Sequence, residues 1–325
     1  LAQALSPLPQ QWLTESALAP LLATLGKQHR IAVGWSGGID STALLLVLKQ
    51  AGYTVEAWHI DHGWHAQSAD WHYTLQQQAA IWGIPYRSQR LGIVTQSNRE
   101  AHARQGRYQA FAAIAEVYPI KLLCLGHHAD DQAETVCMRL LQGAGVQGCC
   151  GMRASRNMLG MQLVRPLLHV RKHELGQALQ QAGIATLEDP SNSDTSLWRN
   201  HIRHRLFPAI AQSGVAPVTL FHRWQQQALR LNASIQQQAD CITISTAADA
   251  CYVDWLSWFQ QAQAVRVAVL QRMMATIRGE GQVLGRRHLQ LIDVWREQGG
   301  RNGLDLTRCR LTHQQGCLHL QGVSV

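Results

Sequence analysis

Nothing in this sequence approaches the uninterrupted apolar run of ~18 to 20 residues that a bilayer-spanning helix needs, so no membrane is expected as a partner. The N-terminus lacks the basic and then apolar pattern of a secretory leader. It begins with Leu1 rather than Met, so residues are expected to precede it. The cysteines at 124, 137, 149, 150, 241, 251, 309 and 317 include no CxxC pair and no metal-ligand spacing. That argues against a zinc site or a disulfide framework and for a reducing, cytoplasmic setting. The adjacent Cys149 and Cys150 read as small apolar fillers of a packed loop rather than a redox pair. Lysine is missing after residue 195.

What is present is a 325-residue chain of 36.2 kDa, enough for two domains that each bury a core. The net charge of +8 is unevenly distributed. Residues 1 to 195 carry 15 Lys+Arg against 14 Asp+Glu, whereas residues 196 to 325 carry 14 against 7, and all 14 are arginine. Arginine is suited to forked phosphate contacts and base stacking. A solvated basic face would look the same on its own; beside a nucleotide site it favours a nucleic acid substrate.

That site begins at Ile31. An apolar run breaks into Ser36-Gly37-Gly38-Ile39-Asp40-Ser41 and resumes at helical spacing, the order strand, tight loop, helix. The glycine pair lets backbone approach a ligand, and the serine hydroxyls with the free N–H groups of the next turn make an anion cradle. The GxxxxGK spacing of a Walker A loop and its lysine are absent. Asp40 instead sets a carboxylate beside the anion, which makes sense where a divalent metal bridges them.

Further along, strands and helices alternate. A second strand over Thr54 to Ile60 delivers His59, Asp61 and His62 to its end. Helices follow near Gln67 to Trp82 and Asn98 to Val117, with a strand near Tyr86 to Arg90 between them. Glu100, Arg104 and Arg107 share one helix face. The arginines are candidates for a triphosphate, the alternative being a surface ion-pair ladder. A strand over Lys121 to Gly126 runs into His127-His128-Ala129-Asp130-Asp131-Gln132-Ala133-Glu134-Thr135, with a helix expected from Ala133. Such charge at a strand end is poor core material; its acids suit magnesium and its histidines phosphate contacts or proton transfer. A flexible glycine-rich loop over 143 to 152, a strand at 162 to 164 and a helix near 172 to 182 complete the pattern. The fold class is therefore α/β, a parallel sheet flanked by helices.

After the turn Asp189-Pro190-Ser191-Asn192, the segment Trp198 to Pro208 reads as a short basic helix with Arg199 and Arg203 on its surface. Three motifs now stand in order: Ser-Gly-Gly-x-Asp-Ser, His-His-x-Asp-Asp-Gln-Ala-Glu-Thr with its trailing glycines, and Arg-Asn-x-Ile-Arg. The first resembles the phosphate loop of the N-type ATP pyrophosphatases, which cleave ATP between the α and β phosphates and pass AMP to an oxygen of a second substrate. Together, over residues 31 to 208, they resemble the tRNA(Ile)-lysidine synthetase family rather than its sulfur-transferring relatives. Two departures stand out: Cys149 and Cys150 occupy positions where the family usually has leucine, and it usually has a basic residue near His65.

The resemblance implies ATP and Mg2+ as cofactors and, as partners, L-lysine and tRNA(Ile) with a CAU anticodon, whose wobble cytidine becomes lysidine through an adenylated base. It implies that Ser36, Gly37, Gly38, Ile39, Asp40 and Ser41 hold pyrophosphate. Asp40 with Asp130, or Asp131, would hold the metal, and Arg104, Arg107 and His127 would stabilise charge. Asp131 would accept the lysine proton, and Arg199, Asn200 and Arg203 would contact tRNA. The remaining readings are a tRNA-thiolating relative and a protein that binds tRNA or ATP without turnover.

Domains are expected at 1–212, catalytic, and 213–325, mainly helical, with arginines facing RNA. In the second, Leu220, Phe221, Trp224, Ala228, Leu231 and Ile235 make a core-facing stripe, and helices follow near Gln261 to Ile277 and Arg286 to Gln298. Short strands are expected at 304–306, 308–311 and 317–320. A dimerisation role for this domain is the alternative, which keeps a homodimer open. Longer relatives in the family carry a further C-terminal domain.

Overall fold

Side chains of alternating burial along one strand explain how the first unit is layered. In β1 (Arg30–Gly34) Ile31 and Val33 face one side and Ala32 the other, all fully buried, so the sheet must be covered on both faces. The computed structural model describes residues 6–16, 19–25, 29–61, 68–91, 99–188, 198–247, 249–279, 284–306 and 308–323, with backbone alone at 25, 68, 69, 99–103 and 286. These fall into two compact units, 1–226 and 227–325.

In the first unit α1 (Gln11–Thr14) and α2 (Ala19–Leu25) precede β1. There follow α3 (Ile39–Gln50), β2 (Thr54–Asp61), α4 (Ser68–Ile81), β3 (Tyr86–Arg90), α5 (Arg99–Val117) and β4 (Leu122–Leu125). Then come α6 (Ala129–Leu141), α7 (Val146–Cys149), β5 (Ser155–Met158), β6 (Met161–Val164) and α8 (Lys172–Gln181). The unit ends with α9 (Trp198–His201), a π-helical turn over Ile202–Leu206, α10 (Phe207–Gln212) and the first part of α11 (Pro217–Asp240).

Sheet order is β3-β2-β1-β4-β6-β5, parallel except for the edge strand β5. Leucines of α3 and Leu175 and Leu179 of α8 cover one face with Ile31 and Val33. Tyr108, Phe111 and Ile114 of α5 cover the other with Ala32, Trp58 and Leu123. Strand order reverses between β1 and β4, and ligands of such sheets bind outside the carboxyl ends at that point.

Three expectations change here. The helix α6 begins at Ala129 rather than Ala133, which puts Asp130 and Asp131 in its first turn, where its dipole favours them. The glycine-rich segment holds one helical turn, α7, and is tied down: Met152 N–H donates to Gln132 Oε1 at 2.7 Å and Gln225 Nε2 to the Cys150 carbonyl at 3.1 Å. On α11 the buried stripe runs through Val218, Phe221, Gln225, Ile235 and Ala239, leaving Trp224 and Leu231 about half exposed. The segment around His62, the turn at Asp189 to Asn192 and the side chain of Glu100 lie outside the described residues.

The second unit contains the rest of α11, then β7 (Ser245–Ala247), β8 (Ala250–Asp254), α12 (Trp255–Phe259), α13 (Gln263–Arg278) and α14 (Arg286–Glu297). Three further strands follow: β9 (Leu304–Leu306), β10 (Cys309–Gln314) and β11 (Cys317–Gly322). Its antiparallel sheet has five strands in the order β7-β8-β11-β10-β9, two more than expected. Not all its arginines face solvent. Arg266 is buried and ion-paired to Asp293 at 2.9 Å, whereas Arg278 is exposed and donates to the carbonyls of Arg308 and Val323.

Candidate active site

The loop between β1 and α3 is built by side chains that close on each other. Ser36 N–H donates to Ser41 Oγ at 3.2 Å, the two hydroxyls lie 3.1 Å apart, and the Ser41 hydroxyl donates to the Gly38 carbonyl at 3.2 Å. Gly37 turns the chain at φ +83°, and a Cβ there would meet Leu75 and Leu187 within 3 Å. Gly38 is the extended N-cap of α3, so the first N–H groups of a twelve-residue helix open onto the loop.

The second motif is brought against the first. A Cβ at Gly126 would lie 2.8 Å from the Asp40 backbone, so only glycine lets the end of β4 approach this closely. His128, 1% exposed, caps α6: Asp131 N–H donates to its Nδ1 at 3.3 Å, and its own N–H donates to Asp131 Oδ2 at 3.2 Å. Its Nε2 lies 3.5 Å from Asp40 Oδ2. Burial lowers the His128 pKa, but Asp40, Asp131 and Asp130 outweigh it and the net shift is upward.

The carboxylates are not equivalent. Asp130 accepts Lys172 N–H at 2.8 Å and the Arg171 guanidinium at 3.3 Å, whereas Asp40 Oδ1 is buried without a hydrogen-bond partner. Asp131 is held at about 2: burial opposes this, but the charges of His128, Arg199, His127 and Arg203 prevail. His127 is pushed down to about 3, first by burial, with Arg165, Arg199 and Arg107 adding to it against Asp131. Among the described residues no group of three or more His, Cys, Asp or Glu is gathered as a metal-binding cluster.

Arg199 and Arg203 turn inward rather than outward. Glu134, 2% exposed, accepts Arg199 Nε at 2.9 Å and both Nε and Nη2 of Arg203, at 2.7 and 2.9 Å. Arg199 Nη2 also donates to the Asp131 carbonyl and to Thr135 Oγ1. Asn200, between them, is buried. Four residues apart across α9 and the π turn, the arginines share one face, and they clamp the acidic helix. The sequence groups Glu134 and His128 with the other charged residues of this strand end without giving either a role of its own; the signal for Glu134 is an arginine pair at i, i+4 whose acceptor is 65 and 69 residues away.

Arg104 and Arg107 gather around Tyr108, with guanidinium carbons 5.4 and 5.8 Å from its ring centroid. Arg156, from β5, joins them at 5.2 Å. His59 is not part of the site: its Nδ1 meets the Trp35 carbonyl at 3.0 Å and the ring is buried. Burial raises the thiol pKa of Cys149 and Cys150, which favours the protonated form.

A helix N-terminus and serine cradle at the switch point of a mostly parallel sheet, with carboxylates alongside, define an α/β nucleotide-phosphate-binding protein. The PP-loop domain model, of the ATP-binding group, matches residues 12–210, and the chain belongs to that family. It is 34% identical over 248 residues to a tRNA(Ile)-lysidine synthase of Legionella pneumophila (strain Paris), covering 74% of this chain and 57% of that protein. It is 40% identical over 192 residues to one from Pseudomonas fluorescens (strain Pf0-1), covering 57% of this chain and 42% of the relative. The chain thus spans about half the length of the curated relatives it matches. A solved U34-tRNA thiolase, NcsA from Methanococcus maripaludis with its 4Fe–4S cluster, shares the fold with a TM-score of 0.57 at 15% identity, over 68% of this chain and 78% of that one.

Proposed function

We propose that this protein ligates L-lysine to C2 of the wobble cytidine in tRNA(Ile) bearing a CAU anticodon, consuming ATP and releasing AMP and pyrophosphate. The observation that carries this reading is the match to lysidine synthases over 248 residues, which is longer than the PP-loop domain itself. The thiolase likeness concerns the fold alone.

In the first step cytosine O2 attacks the α phosphorus, the bond to the β phosphate breaks, and pyrophosphate leaves. Ser36, Ser41 and the N–H groups at the start of α3 are oriented to hold that leaving group, a preorganised donor set aimed at developing charge. Magnesium would be held by Asp40, whose Oδ1 lacks another partner, and would supply charge neutralisation at the phosphates. Asp130 is the weaker donor because Arg171 and Lys172 N–H already occupy it.

In the second step the lysine ε-ammonium gives up a proton to solvent, the free amine attacks C2, and the C2–O bond breaks to release AMP. With a pKa near 2 Asp131 is a weak proton acceptor. We assign it the role of a fixed negative charge that attracts the ammonium group, oriented by His128, Arg199 and Arg203. Those two arginines then act on tRNA by positioning the acidic helix start.

The test uses radiolabelled lysine with ATP and transcribed tRNA(Ile) carrying CAU. Lysine-dependent label in the RNA, lost when CAU becomes GAU, is expected; label that never joins RNA overturns the reading.

A further inference from the structure

Beside the clamp that Arg199 and Arg203 make on Glu134 stand two parallel rings. Trp198 and His201, three residues apart on α9, have planes 5° apart and centroids 5.6 Å apart. Both are exposed, Trp198 to 46%. Elsewhere in the chain Trp12, Trp35, Trp58, Trp255, Trp258 and Trp295 are all 8% exposed or less. A tryptophan on the surface forgoes the stabilisation of burial, and an i, i+3 ring pair returns little to a helix. Rings held parallel are, however, oriented for a third planar group to join them.

The surroundings suit a polyanion. From 195 to 239 the chain has no Asp or Glu, against five arginines and three histidines. Arg199 and Arg203 are taken up by Glu134 and Asp131, whereas His201, His204 and Arg205 are exposed. Basic residues interleaved with an aromatic ring make a surface for single-stranded RNA, whose bases stack on the ring while cations follow the backbone.

Position says which part of the RNA arrives here. Arg199, next to Trp198, donates to the Asp131 carbonyl, Thr135 and Glu134. The rings are therefore one residue from a contact with the helix whose first turn meets Asp40 of the phosphate loop through His128. A cytidine whose O2 attacks the α phosphorus lies at that sheet edge, with its neighbours in the anticodon loop alongside. An exposed ring pair fits a strand entering from solvent, whereas a small cofactor is enclosed over most of its surface. The family resemblance assigns neither residue, because Trp198 precedes the Arg-Asn-x-Ile-Arg motif and His201 is its unspecified position.

We propose that Trp198, held parallel to His201, is a stacking platform for an unpaired base of the anticodon loop next to the wobble cytidine. The platform deepens the reading above and rests on it for the identity of the RNA.

The test uses the intact chain with Trp198→Ala and Trp198→Phe, each checked for folding by thermal melting. Binding of the CAU anticodon stem-loop of tRNA(Ile) is measured by filter retention over a range of salt, without ATP or lysine, and binding of ATP by calorimetry. The stem-loop is also made with an abasic residue on either side of the wobble cytidine. Trp198→Ala should weaken RNA binding about ten-fold, within the range of one base–aromatic stack. The salt slope should stay unchanged, since no phosphate contact is lost. Trp198→Phe should restore most of the affinity, and ATP binding should not change. One of the two abasic stem-loops should cost the original protein about as much, yet cost Trp198→Ala less than about two-fold. No RNA binding by the original protein, a loss under about two-fold in a folded Trp198→Ala protein, or abasic losses equal in both proteins overturns the platform. A loss confined to ATP binding also overturns it, and gives the rings to adenine. Lysine transfer is not read, so the platform and the ligation reading fail on separate measurements.

Discussion

Arg203 grips Glu134 through two parallel bonds, Nε to Oε1 at 2.7 Å and Nη2 to Oε2 at 2.9 Å, and Arg199 closes on the same carboxylate at 2.9 Å. Removing one partner of a buried pair leaves uncompensated charge and costs about 3–5 kcal/mol. Glu134→Ala, which strands two guanidiniums, is expected to cost about that much in urea denaturation of the first unit. Arg203→Lys, which cannot form the fork, should cost less. A Glu134→Ala protein within about 1 kcal/mol of the original, the level of a surface pair, contradicts the clamp.

Gly126 makes a sharper test of how the phosphate loop and the acidic helix are joined. The Cβ of Gly126→Ala would press on Asp40 backbone at 2.8 Å, which cannot yield without moving the loop. We expect KM for ATP to rise at least ten-fold, or about 1.4 kcal/mol, with a smaller effect on melting. Gly176→Ala in α8, with nothing within 4 Å, is the control and should leave KM unchanged. Equal KM values in the two proteins would mean that the close approach is not functional.

Much of the composition of this site is legible in the sequence. Its loop, acidic helix start and arginines are each local in sequence, and alternating strands and helices fix the sheet edge where they meet. What stayed hidden depends on partners far along the chain. Arg199 and Arg203 read as surface residues because Glu134 lies 65 and 69 residues away. On α11 two adjacent stripes satisfy three-four spacing; the buried one contains the polar Gln225, since it reaches the Cys150 carbonyl, and Trp224 and Leu231 are left outside. β7 and β8 are short, and the pairing of β8 with β11 and of β7 with β8 supplies what the local sequence lacks.

The pH dependence of stability has a predictable sign. His127 folds with its pKa lowered to about 3, against about 6.5 unfolded. Below pH 6.5 the unfolded chain takes up a proton that the folded one refuses, so His127 contributes stability above that pH, lost as pH falls toward 3. Asp131, lowered to about 2, adds its own loss only below about pH 4. Denaturation between pH 7 and 4.5 should show a falling limb that flattens in His127→Gln. An unchanged limb would mean that the histidine is not held neutral.

Exposed arginines of the second unit, such as Arg301 and Arg308, differ from buried Arg266. If that unit holds RNA by its backbone, each exposed contact removed reduces the salt slope of tRNA binding by about one. Arg301→Gln with Arg308→Gln should show this without lowering the melting temperature. Arg266→Gln should lower it, because Asp293 and the Gln261 carbonyl lose their partner.

In the proposed reaction one site transfers AMP to the RNA and lysine then displaces it. Incubating the protein with α-labelled ATP and CAU-bearing tRNA(Ile) in the absence of lysine tests it most directly. Label covalently attached to the RNA, chased into free AMP when lysine is added, with pyrophosphate formed in equal amount, is expected. Release of inorganic phosphate from γ-labelled ATP, with no label ever joining the RNA, would contradict it.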